Sequence, residues 1–262
     1  MKEPHIIYQD NDLIVINKPA GMPVHEAKHS DDYSLCDWLL RRFPEIKDVG
    51  DKRPENMPPV ASGVEPYRPG IVHRLDKQTS GVMVIARNQA SFLKLKELFK
   101  SRRVEKTYTA LVCGRLKKSR GEIKTAIGRL IKTPMKMAVQ RDEPRLGKAG
   151  RGMKKKKIRL VKEASTEYKV LKEFAKTSLL EVHPRTGRMH QIRLHLASIG
   201  HPVAGDTVYG GKKVCHHDLG RQFLHASMIS FTLHDGERLM FEADLPQKLQ
   251  TVLRHEAVVK TD

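Results

Sequence analysis

The amino-acid sequence predicts a mixed α+β domain, and three observations carry that expectation. Branched-chain and aromatic residues run together or alternate with polar ones in short segments at 5–9, 13–17, 82–87, 106–112 and 178–183, as strands require. Between such segments, residues able to cap a helix precede apolar residues spaced three and four apart. With 262 residues and a hydrophobic share of 39%, the chain is long enough to bury a substantial core between packed layers of both element types.

Taken in order, segments 5–9 and 13–17 flank Asp10, Asn11 and Asp12 and read as a hairpin. Lys18, Pro19, Ala20, Gly21, Met22 and Pro23 then force a turn. Ser34 caps a helix through Phe43, with Leu35, Trp38, Leu39 and Phe43 on one face and Pro44 beyond it. Residues 44–70 carry Pro44, Pro54, Pro58, Pro59, Pro66 and Pro69 and read as a long functional or disordered loop. Residues 71–75 and 82–87 are predicted strands around a turn at 77–81, and Asn88 caps a helix that puts Phe92, Leu95, Leu98 and Phe99 together.

Residues 106–112 alternate, so Tyr108, Ala110 and Val112 point one way and Thr107, Thr109 and Leu111 the other. Strand-like segments follow at 123–130, 166–171 and 178–183. Thr186, Gly187 and Arg188 open a predicted helix that runs to Ile199 and stops at Gly200, with Ile192, Leu196 and Ile199 facing the core. A hairpin around His234, Asp235 and Gly236 and a short helix with Pro246 near its start, Leu249 and Leu253 close the chain. No internal repeat or linker interrupts it, so residues 1–262 are expected to form one domain with two lobes.

Lysine and arginine total 49 against 30 acidic residues, a net charge of +19. That excess speaks of partners and solubility rather than of fold. It is uneven: between 144 and 162 lie Arg145, Lys148, Arg151, Lys154, Lys155, Lys156, Lys157, Arg159 and Lys162 with no acid. Such a block suits a mobile arm meeting a polyanion, nucleic acid first, although a solvated loop that only keeps the chain soluble has the same composition. No apolar run approaches the roughly 18 residues of a membrane span, and the N-terminal residues resemble neither a secretory signal nor a transit peptide. Cys36, Cys113 and Cys215 are isolated and odd in number, which fits a reducing cytoplasm and no zinc pattern.

Three segments can carry chemistry. In the first, residues 72–81, Asp76 sits where a strand gives way to a turn, between Arg74 and Lys77. Neighbouring cations keep such a carboxylate ionised, ready to act as nucleophile or base; equally, an aspartate there can simply support the turn through its own backbone. In the second, residues 181–195, the helix start offers amides to an anion, and His190, Arg193 and Ala197 form one stripe. His190 and His195 are five apart and face different ways, and Cys215, His216 and His217 lack a partner cluster, so no metal site is expected. In the third, Tyr108 lies mid-strand, where a tyrosine is ordinarily core.

Together these segments resemble the RluA family of pseudouridine synthases. The likeness runs from Tyr8 to Gly21, through the His-Arg-Leu-Asp-x-x-Thr-Ser-Gly string at 73–81, residues 106–114, the Thr-Gly-Arg-x-His-Gln-Ile-Arg string at 186–193, residues 205–210, Leu224-His225-Ala226 and Leu245-Pro246. The resemblance implies a catalytic domain with a central mixed, mainly antiparallel sheet flanked by helices, two lobes around a basic cleft. It implies that Asp76 is the essential carboxylate, that Tyr108 packs on the target base, that Arg193 pairs with Asp76, and that Arg74 fills the space of a flipped nucleotide. Lys106, Arg188, His190, Gln191, Lys154, Lys155, Lys156 and Lys157 are expected to contact RNA. Many relatives carry a small RNA-binding domain ahead of the catalytic one; this chain is expected to begin at the catalytic domain, leaving the basic segment and the proline-rich loop to supply affinity.

The implied reaction breaks the C1′–N1 bond of uridine, turns the uracil and rejoins it through C5. The departing uracil spreads its charge over two carbonyls, so one carboxylate suffices, attacking C1′ or removing a sugar proton. Glycoside hydrolysis normally requires two opposed carboxylates. A tyrosine hydroxyl or bound water can carry away the C5 proton. An isomerisation needs no cofactor, and a monomer acting on ribosomal RNA first, transfer RNA second, is the expectation. The rival readings are a non-catalytic RNA-binding or ribosome-assembly protein on the same fold, and a hydrolase that releases free base.

Overall fold

The structure is a computed structural model that describes residues 2–25, 33–51, 68–131, 133, 136–140, 158–233 and 236–258. In chain order its elements are β1 (His5–Gln9), β2 (Leu13–Lys18), α1 (Leu35–Arg42), β3 (Ser80–Ala86), α2 (Gln89–Lys100), β4 (Glu105–Cys113), β5 (Arg120–Lys124) and β6 (Ile127–Leu130). There follow β7 (Met137–Val139), β8 (Ile158–Lys162), β9 (Ser165–Glu173), β10 (Thr177–Pro184), α3 (Gln191–Ser198), β11 (Leu224–Thr232), β12 (Arg238–Glu242) and α4 (Gln247–Val258). The chain divides into two compact units, Met1–Tyr108 with Leu224–Thr251, and Thr109–Phe223 with Val252–Asp262. The α+β class expected from the sequence is what the structure has.

In the first unit β1, β2 and β3 pair antiparallel in sequence, β3 pairs β11 in parallel, and β11 pairs β12 antiparallel. Residues 13–16 and 82–86 are buried along their whole length, because both faces of these strands are covered and a continuous apolar run replaces alternation. Leu35, Trp38 and Leu39 of α1 and Phe92, Leu95 and Leu98 of α2 share that core. Each helix starts where the sequence placed its cap. Ser34 and Asp37 form a reciprocal capping box, the Asp37 amide donating to Ser34 Oγ and the Ser34 amide to Asp37 Oδ2. Asn88 Oδ1 accepts the Ser91 amide while Asn88 Nδ2 donates to Asp12 Oδ1 at 2.7 Å, tying α2 to the β1–β2 turn.

One predicted strand is absent. Within 71–75 only Ile71 bridges to Ile85, and residues 72–79 form a loop. The Val84 amide donates to His73 Nε2 at 3.0 Å, and the His73 ring stacks on Phe99 with centroids 4.6 Å apart. A side chain thus takes the strand donor that a neighbouring backbone would have used, and the chain leaves the sheet on its way to Asp76.

In the second unit β9 pairs antiparallel with both β10 and β5, and β6 lies between β7 and β8 in a separate three-stranded sheet. The single strand expected at 123–130 is two: the Thr125 amide goes to Ala164 and its carbonyl faces His195 Nε2, diverting β6 into the small sheet. The helix expected from Thr186 begins instead at Gln191, after His190 in the left-handed region at φ 56°. Gln191 Oε1 accepts from Thr186 Oγ1 and from the Arg188 amide, so residues 186–190 close into a loop around that side chain, and the helix start expected at Thr186 and Gly187 to offer amides to an anion is not formed there. Residues 191–196 are all buried, whereas Ile199 is 40% exposed; the core stripe expected from Ile192, Leu196 and Ile199 holds only for the first two.

The cysteines also differ from expectation. Cys113 and Cys215, 102 positions apart, form a disulfide, and Cys36 is buried and unbridged. The hairpin expected around Gly236 joins β11 and β12, although residues 234–235 lie outside the described ones. So do residues 52–67 of the proline-rich segment and residues 141–157 of the basic one, with Lys154, Lys155, Lys156 and Lys157. Among the described residues, no helix is long and apolar enough to cross a membrane.

Gly81 shows how closely β3 meets β11. At φ +126°, a Cβ there would lie 2.2 Å from the Ala226 carbonyl oxygen. Gly81→Ala is expected to cost about 2–3 kcal/mol, whereas Gly187→Ala, with nothing within 4 Å, should cost less than about 1 kcal/mol. Urea unfolding midpoints of the two variants check this contrast.

Candidate active site

The half-buried Asp76 opens a turn that the Thr79 amide closes on the Asp76 carbonyl at 3.0 Å. What pins this turn is Lys18, one of the largest fully buried side chains among the described residues. Its ammonium donates to the carbonyls of Pro19 and Met22 at 2.8 Å and of Lys77 at 3.3 Å, and the Lys77 carbonyl also accepts the Gly21 amide at 2.8 Å. The turn at 18–23 is thus clamped to the peptide following Asp76. Burying an ammonium is tolerable only where acceptors replace its water, so these loops are held to one geometry.

Tyr108 of β4 packs against the first unit's core. Burial, then the negative charge of Asp76, pushes its hydroxyl above the usual range, so Asp76 and Tyr108 are electrostatic neighbours and the phenol stays protonated. Two residues back on the same face of β4, Lys106 is half-buried, and burial lowers its pKa to about 8. His73, lowered to about 3 by burial and by Lys106, is neutral at physiological pH. His25 is lowered to about 4 by burial and by the charges of Arg68 and Arg74, and Arg74 itself is exposed. A carboxylate, a protonated phenol and several cations therefore lie on or near one loop of the first unit.

The other expected residues lie on or beside α3 in the second unit. Arg193 is buried and bidentate on Asp206, Nε to Oδ2 at 2.7 Å and Nη2 to Oδ1 at 3.0 Å. Asp206 Oδ1 also accepts the amides of Val208 and Tyr209. The guanidinium lies 5.0 Å from the Tyr209 ring centroid, and the Tyr209 hydroxyl meets His190 Nδ1 at 2.6 Å and accepts the Met137 amide. Gln191 is buried, its Nε2 donating to the Ser165 carbonyl and Thr166 Oγ1. Arg188 is half-buried, with Nε donating to the Glu163 carbonyl. His195 is internal, held by Thr166 and Thr125.

Lys18, Asp206 and Tyr209 are the residues whose part here the sequence did not disclose. A lysine before a proline reads as a turn residue, and nothing in a 13-residue separation marks Asp206 as the partner of Arg193. No group of three or more His, Cys, Asp or Glu is placed to hold a metal among the described residues. One ionisable carboxylate on a clamped turn beside a protonated phenol can attack or deprotonate a substrate while the aromatic face packs against it.

Comparison with known proteins agrees with the resemblance. The family profile described as RNA pseudouridylate synthase matches residues 12–198. The chain is 40% identical over 239 residues to an uncharacterized RNA pseudouridine synthase of Chloroflexus aurantiacus, covering 91% of this chain and 65% of that protein. It is 34% identical over 258 residues to the ribosomal large subunit pseudouridine synthase D of Zymomonas mobilis, covering 95% and 71%. Among solved structures, human RNA pseudouridylate synthase domain containing 4 superposes with a TM-score of 0.72 at 26% identity, covering 98% of this chain and 95% of that one. The chain thus spans just under two thirds of the length of the Chloroflexus relative.

The desolvated Lys106 has a measurable signature. Between its folded value of about 8 and its ordinary 10.5, the unfolded chain binds more of this proton than the folded one, so stability rises with pH across that window. Lys106→Met should remove that rise and gain stability relative to wild type most clearly below pH 8. Urea unfolding of both proteins at about pH 7 and pH 10.5 checks it; parallel curves would refute the desolvated ammonium.

Proposed function

The chain belongs to the RNA pseudouridylate synthase family, and on that premise we propose that it isomerises uridine in structured RNA to pseudouridine. The observation that carries the reading furthest is the coupling of Asp76 to Tyr108 on a turn clamped by Lys18. Asp76 is the essential carboxylate, acting on the ribose; Tyr108 is the surface on which the uracil packs; Arg193 takes the cation role that the resemblance implies. No cofactor enters the isomerisation. The two units act as one catalytic domain, a monomer in the cytoplasm.

The chemistry suits a single carboxylate. The C1′–N1 electron pair leaves with the uracil, the base turns, C5 bonds to C1′, the C5 proton departs and N1 gains a proton, so atoms and charge balance within one nucleotide. A stacked uridine must first be extruded, at a cost of a few kcal/mol. Packing on Tyr108 offsets about 1–3 kcal/mol of that, and Arg74 fills the vacated space. Interactions of Lys106, Arg188, His190, Gln191 and the basic segment with Lys154 to Lys157 supply the remaining affinity through phosphate and base. Ribosomal RNA is the first substrate class, which the name of the Zymomonas relative supports; transfer RNA is the second.

Asp76→Asn should abolish pseudouridine formation in ribosomal RNA transcripts while RNA affinity changes by less than about threefold. An active Asn variant would remove Asp76 from its role, an inactive wild type that still binds would favour a ribosome-assembly protein, and released free uracil would identify a hydrolase. Deleting residues 154–157 should lessen the slope of log affinity against log salt by about 0.7 for each phosphate that is no longer neutralised; an unchanged slope would exclude the segment from RNA.

A further inference from the structure

Arg193 is one of the few charged side chains with almost no exposure among the described residues, and its fork is committed. Two of its donors meet the two Asp206 oxygens, and the Tyr209 ring lies 5.0 Å from its centre. A side-on fork fixes the plane of a guanidinium as well as its position. The Asp206 carboxylate is itself fixed, because Oδ1 accepts two backbone amides of its own turn.

The turn that carries Asp206 hangs from a short frame. The Asp206 amide donates to the Val203 carbonyl at 3.1 Å and the Gly210 amide to the Asp206 carbonyl at 2.9 Å. The Gly205 amide donates to the Cys215 carbonyl at 2.8 Å, and the Cys113 amide to the Pro202 carbonyl at 2.9 Å. Gly205 is at φ +72°, where a Cβ would lie 2.1 Å from the Arg221 carbonyl oxygen, so the turn has no slack. The disulfide joins the two outer members of this frame, Cys113 and Cys215. One hydrogen bond and one peptide bond separate the bridged Cys215 from Asp206.

We propose that Asp206 is the positioning residue for Arg193, and that the Cys113–Cys215 disulfide holding its turn is an exchange site for low-molecular-weight thiols. The proposal rests on the reading that Arg193 serves pseudouridine formation. Cys215 is half-buried, with Lys212, Lys213, His216 and His217 close by in sequence, while Cys113 is buried and its Sγ accepts the Cys215 amide at 2.9 Å. An external thiolate attacks the Cys215 sulfur, forms a mixed disulfide there and expels the Cys113 thiolate, which that amide stabilises. A second thiolate attacks the external sulfur of the mixed disulfide, leaving two protein thiols and one small disulfide. The two electrons gained by the protein come from the two small thiols, and the small disulfide reverses the exchange. Opening the bridge relaxes the frame, and with it the Asp206 fork.

The experiment uses the full chain and a ribosomal RNA transcript, well below the unfolding temperature of every variant. Asp206→Asn is expected to lower kcat about 100-fold, the scale of a misplaced catalytic group, with KM for RNA within about twofold. Equilibration against reduced and oxidised glutathione, with thiols counted by alkylation and mass, should free two thiols, lower kcat about fivefold and restore it on reoxidation. The Cys113→Ala, Cys215→Ala double variant should stay at the reduced level throughout. Unchanged kcat in Asp206→Asn, or in protein with both thiols freed, overturns the proposal. So does a bridge that no glutathione ratio opens, or a double variant that still responds to reduction. Should Asp206→Asn fail to fold, the glutathione titration decides alone. Absence of pseudouridine from the wild type, measured first, would remove the functional reading and is distinguishable from all of these.

Discussion

A lysine ammonium with no exposed surface is the constraint on which the first unit's chemistry depends. Three carbonyls surround Lys18 Nζ, two from the turn just after β2 and one from the peptide that follows Asp76. Each carbonyl alone is weakly held; together they replace the water that a buried cation would otherwise demand. The turn at 18–23 and the Asp76 loop cannot move independently without stranding that charge. A hydrogen bond to a charged group contributes about 1.5–3 kcal/mol, so the buried ammonium fixes the loop alongside the packing of Val72 and Leu75 in the core.

The second unit solves the same problem with the opposite sign. There a buried carboxylate is the organiser: Asp206 gathers two amides and the Arg193 guanidinium. In one unit a cation assembles carbonyls around an acid-bearing loop, and in the other an acid assembles donors around a cation. Both arrangements leave the group of interest on or beside irregular backbone whose shape is dictated by a charge inside, which allows a loop to be as well defined as a strand. A related device operates at His190, whose left-handed conformation at φ 56° lets the chain enter α3 directly from the loop built around Gln191.

Much of the fold was legible because it follows local rules. Ser34 and Asn88 cap helices where a cap was expected, and the hairpin on Asp10 and Asp12 closes through the Asp10 carboxylate accepting two amides. Two of the failures share one cause, side chains that take the place of backbone. His73 replaced a neighbouring strand, and Gln191 replaced a first helical turn; neither substitution leaves a periodic trace. The uniform burial of residues 191–196 likewise erases the amphipathic pattern from which a core face is read. At the candidate site, the resemblance gave roles to Asp76, Tyr108 and Arg193 but none to Lys18 or Asp206, although both lie in matched segments, since the contacts of Lys18 with the Lys77 carbonyl and of Asp206 with Arg193, across 59 and 13 positions, are decided by packing.

The protonation states in the first unit narrow the proposed mechanism. Rejoining the base through C5 leaves a proton to be removed, and a tyrosine hydroxyl and bound water were both eligible from sequence. Burial and the neighbouring Asp76 charge raise the Tyr108 hydroxyl above its ordinary value, so at neutral pH it is a phenol, and a neutral phenol is a poor proton acceptor. His73, at about 3, is neutral, but its Nε2 already accepts the Val84 amide. The acceptor in the proposed reaction is therefore the Asp76 carboxylate or a water beside it, and Tyr108 contributes its face. In the proposed reaction one carboxylate, Asp76, thus serves twice: it opens the glycosidic bond, and directly or through water it takes the proton when the base rejoins through C5.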